Sequence, residues 1–254
     1  MLAQAAAASV IALAAHRLGW LTRGGAIAAA LVGALSFHGG VSWAILLLFF
    51  FMTSTSLSRW RAVERDRLVQ SIVGKKGPRD ALQVIANGGV FAFAAFMSTR
   101  GDPIPWQALG AGAIAAMTSD TWSTEVGTAL GGMPRSLLSG REVAPGTSGG
   151  ITIAGTIAGI AGAVSAAVMA RVSGWHVPIP VIIAGGIVGS VADSLIGSTL
   201  QERRWCDRCE KETERRAHTC GTTTRHWGGI RGCNNDLVNL LSSMAGAVVT
   251  WALT

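Results

Sequence analysis

The chain has 254 residues, of which 50% are hydrophobic and only 14% charged, with 33 glycines, 9 tryptophans and no tyrosine. Soluble domains carry about 25% charged residues, so this composition excludes an ordinary water-covered globule, and the glycines lack the strict period of a collagen. A formal charge of +7 would point to nucleic acid in a soluble protein; membrane proteins, however, collect Lys and Arg in their cytoplasmic loops, and no nucleic-acid partner is expected.

The run Met1–Trp20 has no basic stretch ahead of its apolar residues and reads as a first helix rather than a cleaved leader. With about 20 apolar residues per crossing, spans are expected near 2–18, 24–38, 41–57, 80–98, 105–118, 151–170, 178–200 and 236–253. The second and fifth are short. Basic residues test the count. The loop after the first span holds Arg17 and Arg23, and the loop after the third runs from Arg59 to Arg79 through Lys75 and Lys76. The loop after the fifth holds Arg135 and Arg141, and the loop after the seventh runs from Arg203 to Arg231. Of 21 basic residues only Arg100 and Arg171 fall elsewhere. This alternation places the four basic loops in the cytoplasm and both termini outside. The expected fold is all-α: a polytopic integral membrane bundle of about eight transmembrane helices. It forms one domain over 1–254, with a small cytoplasmic Cys/His loop inserted at about 201–235.

Ionisable groups within membrane segments are costly and mark function. In chain order, Asn87 lies in the fourth span beside Gly88 and Gly89, either as interhelical glue or as a site residue. The fifth span ends in Thr118-Ser119-Asp120-Thr121-Trp122-Ser123-Thr124-Glu125. Asp120 there is either the N-cap of a following helix or, with Glu125, part of a hard-cation site, since Mg²⁺ takes one or two carboxylates together with substrate phosphates. Next comes Pro134-Arg135 and then Pro145-Gly146-Thr147-Ser148-Gly149-Gly150. A Gly/Ser/Thr loop entering a helix offers backbone N–H groups to phosphate, although the P-loop order is absent. In the seventh span, Gly186, Ser190, Asp193 and Gly197 recur on one helical face. Asp193 is either hydrogen-bonded to neighbouring hydroxyls or functional. Asn235, Asp236 and Asn239 open the eighth span. The topology brings all of these to one leaflet, where one polar cavity would account for Asn87, Asp120, Glu125, Asp193, Asp236 and Asn239 together.

The four cysteines all fall in the last basic loop. Cys206, Cys209, His218 and Cys220 form C-x2-C-x8-H-x-C, which suits a closed tetrahedral Zn²⁺ site of structural type. Cys233 or His226 is an alternative ligand. A reducing compartment argues against disulfides.

The segments Gln83–Gly89 (QVIANGG), Thr118–Gly127 (TSDTWSTEVG), Pro134-Arg135, Pro145–Gly155 (PGTSGGITIAG), Gly189–Gln201 (GSVADSLIGSTLQ) and Asn234–Asn239 (NNDLVN) together resemble the membrane-protein family that includes plastid phytyl-phosphate kinase. A looser likeness extends to CTP-dependent phytol and dolichol kinases and phosphatidate cytidylyltransferase. The resemblance implies a kinase that transfers a phosphoryl group from a nucleoside triphosphate, CTP or ATP, to an isoprenyl monophosphate such as phytyl or geranylgeranyl phosphate. It implies Mg²⁺ at Asp120 and Asp193, and nucleotide phosphates near Thr147, Ser148, Gly149, Gly150 and Arg135. Lys75 and Lys76 are expected to neutralise phosphate, with Asn87, Ser190, Asn235, Asp236 and Asn239 around it. The cysteine loop is not part of the plant pattern. A cytidylyltransferase making a CDP-lipid and a transporter or lipid flippase are the alternatives. The expected partners are an isoprenyl-phosphate lipid, a nucleotide and membrane lipids, with a homo-oligomer left open. A prokaryotic plasma membrane is expected, because the N-terminus is unlike a transit peptide.

Overall fold

A computed structural model describes residues 2–75, 77–101 and 103–254, with the side chains of 64–67 outside the description. Among these residues the chain runs α1 (Leu2–Arg17), α2 (Arg23–Gly39), α3 (Val41–Arg59), α4 (Ala62–Val69), α5 (Ala81–Met97), α6 (Trp106–Leu130), β1 (Arg135–Ser136), β2 (Gly150–Ile151), α7 (Ile153–Val172), α8 (Ile179–Thr199), β3 (Arg203–Cys206), β4 (Lys211–Thr213), β5 (Arg225–Gly228) and α9 (Asn235–Ala252). Each expected span is helical. By length and apolar character, α3, α7 and α8 suffice to cross a membrane. Helices α1, α2 and α5 have 16, 17 and 17 residues, and α6 and α9 are longer but less apolar.

The fifth span is the main departure. It was expected to stop at 118, where the apolar run ends, yet α6 continues for 25 residues to Leu130. Its hydroxyls do not break the helix, because they fold back onto it: Thr118 Oγ1 donates to the Ile114 carbonyl at 2.7 Å and Thr128 Oγ1 to that of Thr124 at 2.7 Å. Nothing stops the helix until Gly131, whose N–H reaches the Gly127 carbonyl at 2.8 Å. Asp120 is therefore an interior helical residue and not an N-cap. Helix α4 was not expected, and the basic loop holding the Cys/His group is a small antiparallel sheet of order β4-β3-β5 rather than a bare loop.

Burial is inverted relative to a soluble bundle. The interior is built from small residues, among them Ala111, Ala113, Ala115, Ala116, Ala163, Ala166 and Ala167, around Trp43, Phe91, Ile114 and Trp175. Large aliphatic side chains such as Leu31, Ile45, Ile157, Val168, Val191 and Val248 point outward. Small interior residues let helices approach closely, and an apolar exterior is stable only against lipid. Helix α6 packs against α3, α5, α7, α8 and α9, which places its polar half at the centre of the molecule.

Local signals fix the start of α5. Asp80 Oδ1 accepts the Gln83 N–H at 2.9 Å while Gln83 Oε1 accepts the Asp80 N–H at 3.0 Å, a reciprocal capping box. Gln83, the first residue of one family motif, thus has a structural role. Burial opposes ionisation of Asp80, but the Lys75 ammonium and the Gln83 and Leu82 amides hold it below its ordinary value. Asp80→Ala is expected to lower stability by about 1 kcal/mol at neutral pH. The wild-type advantage should fade as pH falls through the lowered Asp80 value, because protonation removes the charged acceptor. Thermal unfolding in detergent at several pH values measures both effects.

Candidate active site

The four basic loops lie at one end of the bundle. Leu21 and Arg79 form a parallel bridge between the α1–α2 and α4–α5 connections, and the Thr22 N–H donates to the Arg79 carbonyl at 3.0 Å. The Gly74 N–H donates to Glu214 Oε2 at 3.2 Å, and Ser148 Oγ donates to Glu214 Oε1 at 2.7 Å. These contacts join the segments around residues 20, 75, 148 and 214 into one rim.

Inside that rim lies a cavity of about 1200 Å³. Asn87 of α5, Asp120 and Glu125 of α6, Asp193 of α8, and Asn235, Asp236 and Asn239 of α9 all line it. Thr147, Ser148, Gly149 and Gly150 form part of its rim, and Lys75 a further part. Apolar side chains of α1, α2 and α3, among them Ala8, Ala12, Val32, Leu47 and Phe50, line the same cavity. Polar chemistry and an apolar wall therefore share one space. Ser190 and Arg135 do not line it, and Lys76 lies outside the described residues.

The carboxylates differ in their partners. Asp120 lies close enough to Asp193 and Glu125 for their charges to interact. Glu125 Oε1 accepts from Ser58 Oγ at 2.5 Å and faces the Arg79 guanidinium. Ser242 Oγ donates to the Asn239 carbonyl at 3.0 Å, and Asp193 Oδ2 is buried with no hydrogen-bond partner among the described residues. A buried carboxylate oxygen without a donor, beside a second carboxylate, demands a proton or a cation. The donor set is all oxygen, as hard divalent cations prefer, so Asp120 and Asp193 fit Mg²⁺.

The basic residues are arranged differently from expectation. Lys75 Nζ sits between Asp236 Oδ2 at 2.5 Å and Asp80 Oδ2 at 2.8 Å. Burial pulls its ammonium down, and the two carboxylates outweigh that and leave it above its ordinary value. Its charge is thus already matched. Arg135 is exposed and pairs with Glu142 at 3.3 Å. Arg79 is one of several basic residues that line the cavity, with Arg59 and Arg204 among the others, and its Nη1 donates to Thr55 Oγ1 at 3.3 Å. Burial lowers its pKa, opposed by the charge of Glu125. Arg79 could have been noticed from its place just ahead of the QVIANGG segment.

The Gly/Ser/Thr loop docks on α8. Gly149 has φ +76°, and a Cβ there would meet the Ser194 carbonyl oxygen at 2.6 Å and collide with Ser198, so both conformation and closeness require glycine. The Thr147 and Gly150 amides donate within the loop segment, and Thr152 Oγ1 caps the Gly155 N–H at 3.0 Å. Fewer amides face the cavity than the composition suggested. Glu214, one of three alternate glutamates at 210, 212 and 214 with nothing in the sequence to single it out, holds this loop. It accepts from Ser148, from Gln201 Nε2 at 2.7 Å and from Gly74. Burial pushes its carboxyl above the ordinary range, against those three hydrogen bonds.

Beyond the rim, Cys206, Cys209, His218 and Cys220 bring one ligand atom each within 4.8 Å of the others, a group that can hold a metal ion. Thr222 and then His218 draw the Cys220 thiol down to about 5. The alternative ligands lie elsewhere: Cys233 is buried apart from the group, and His226 Nε2 contacts the Gly229 carbonyl at 3.2 Å.

Several known proteins are similar to this chain over most of its length. Protein PGR of Arabidopsis thaliana is 26% identical over 95% of this chain and 92% of its own length. An uncharacterized membrane protein of Methanocaldococcus jannaschii is 29% identical over 94% of this chain and 88% of its own. The chloroplastic Protein VTE6 of Arabidopsis thaliana is 23% identical over 90% of this chain and 64% of its own. No solved structure matches. The profile of the integral membrane protein family DUF92 matches residues 6–247, nearly the whole bundle together with every segment that carried the resemblance, and the chain belongs to that family.

Proposed function

We propose that this protein is a lipid-phosphate kinase that transfers the γ-phosphoryl group of a nucleoside triphosphate, with CTP the first candidate and ATP the second, to an isoprenyl monophosphate. The observation that carries the reading is that the Asp120 and Asp193 carboxylates and apolar side chains of α1, α2 and α3 line one cavity. The apolar wall suits a prenyl tail, and the carboxylates suit the reacting phosphates. All eight long helices are assigned to the membrane, with the four basic loops cytoplasmic and both termini outside.

Asp120 and Asp193 would hold Mg²⁺, which when bound neutralises phosphate charge. The chain's own residues position the rest. Arg79 faces the developing negative charge, while Ser58 and Arg79 hold Glu125 in place. An oxygen of the acceptor phosphate attacks the γ-phosphorus. A P–O bond forms as the bond to the β–γ bridging oxygen breaks, and the nucleoside diphosphate leaves with the electron pair. No general base is needed, because the acceptor is already an oxyanion at neutral pH. Phosphoryl transfer of this kind rests on positioning and charge neutralisation. The Cys206, Cys209, His218 and Cys220 group is assigned to a structural Zn²⁺.

Chromatography of the spent nucleotide tests the reaction type. The kinase releases CDP or ADP. Pyrophosphate and a CDP-lipid would instead establish a cytidylyltransferase, and no nucleotide consumption with any prenyl phosphate would move the assignment to transport.

A further inference from the structure

We infer that the metal-bound β3–β5 sheet is the clamp that orders the cavity rim, acting through Glu214. The inference does not depend on which phosphorylated substrate the cavity takes.

The argument starts from the size of the sheet. Its three strands have 4, 3 and 4 residues, and its buried side chains are mostly polar or sulfur-bearing, namely Cys206, Thr213, His218 and Thr224. So small a unit lacks a hydrophobic core and needs a staple. The Cys/His group supplies one. Cys206 Sγ lies 3.6 Å from Cys220 Sγ, and His218 Nδ1 lies 3.3 Å from Cys220 Sγ. With Zn–S near 2.3 Å, the S···S edge of a tetrahedron is about 3.8 Å, so the atoms already stand close to the edges of a zinc site. Cys206 ends β3 and Cys209 lies in the turn to β4, whereas His218 and Cys220 come from the segment before β5. One ion therefore ties both sides of the central strand.

What the staple holds rigid is the stretch just after β4. Thr213 Oγ1 donates to the Ile72 carbonyl at 3.3 Å, the Glu214 N–H donates to the same carbonyl at 2.9 Å, and Arg215 Nε donates to the Val73 carbonyl at 3.0 Å. The Glu214 carboxylate then gathers donors from three separate segments: Gly74 of the α4–α5 connection, Ser148 of the glycine loop and Gln201 after α8. The side chain at the centre is half-buried, and all three donors line the cavity. Without a fixed sheet, the glycine loop and the 72–75 segment lose their common acceptor.

The test uses the full chain in nanodiscs. Elemental analysis is expected to give one zinc per chain, lost on chelation and in Cys206→Ser. Hydrogen exchange is expected to rise by about tenfold at 72–75 and 145–150 in the chelated protein while α5 and α8 stay protected. Glu214→Ala should keep its zinc and still show the faster exchange at both segments, which separates the clamp from the metal even if Cys206→Ser fails to fold. Folded wild-type protein without zinc, or with a Cys206–Cys220 disulfide in its place, would overturn the metal assignment. Native protection at 145–150 in Glu214→Ala would overturn the clamp.

Discussion

Asp193→Asn should lower phosphoryl transfer by about 100- to 1,000-fold, the scale seen when one preorganised charge contact is removed from an active site, and should not unfold the protein. Asparagine keeps the volume and one carbonyl oxygen but removes the negative charge. In the ligand-free protein that charge is a liability, because Asp193 lies near Asp120 with its Oδ2 buried and unpartnered among the described residues. The melting temperature without Mg²⁺ and nucleotide should therefore stay level or rise by a few degrees, the stability–activity trade-off of a strained site. Asp120→Asn should behave the same way. If either variant melts well below wild type, the carboxylate is a structural hydrogen-bond acceptor. If both retain turnover, the metal site is wrongly placed.

Gly246→Ala should be among the most destabilising single-methyl changes in the chain. A Cβ at 246 would meet Ala116 Cβ at 2.7 Å and the carbonyl oxygens of Gly112 and Gly185 at 2.8 and 2.9 Å. Two of these three neighbours are backbone atoms of α6 and α8, which cannot turn aside as a side chain can. Alanine gains about 1 kcal/mol over glycine in helix propensity, but overpacking of a tight interior costs about 1–3 kcal/mol. Here the contacts fall on two neighbouring helices at once, so overpacking wins. Gly24→Ala is the control: its nearest neighbour would be Ala81 Cβ at 3.7 Å, an ordinary contact, and the change should be neutral or mildly stabilising. Unfolding of both variants in the same detergent decides the matter. Equal midpoints would mean that α6, α8 and α9 are packed more loosely than described.

The helices were legible because apolar length and the alternation of basic loops are strong signals, and the convergence of Asn87, Asp120, Asp193 and Asp236 followed from helix direction alone. The extent of α6 was not legible. Thr118 and Thr128 look like helix-ending polar residues until their hydroxyls are seen bonded to carbonyls one turn back. Nor could chain order say which cations line the site. Arg135 sits beside the glycine loop in sequence but points away toward Glu142, while Arg79, in a distant connection, is carried inward by its backbone pairing with Leu21. Glu214 was invisible for the same reason, since its importance lies in three partners from 13 to 140 residues away.

The most direct test of the central claim is transfer of label from γ-labelled CTP or ATP, with Mg²⁺, to phytyl or geranylgeranyl monophosphate by the wild-type protein in nanodiscs, beside Asp193→Asn. Label in a prenyl diphosphate with wild type, and almost none with the variant, is the predicted result. Folded wild-type protein that moves no label to either lipid from either donor would contradict it.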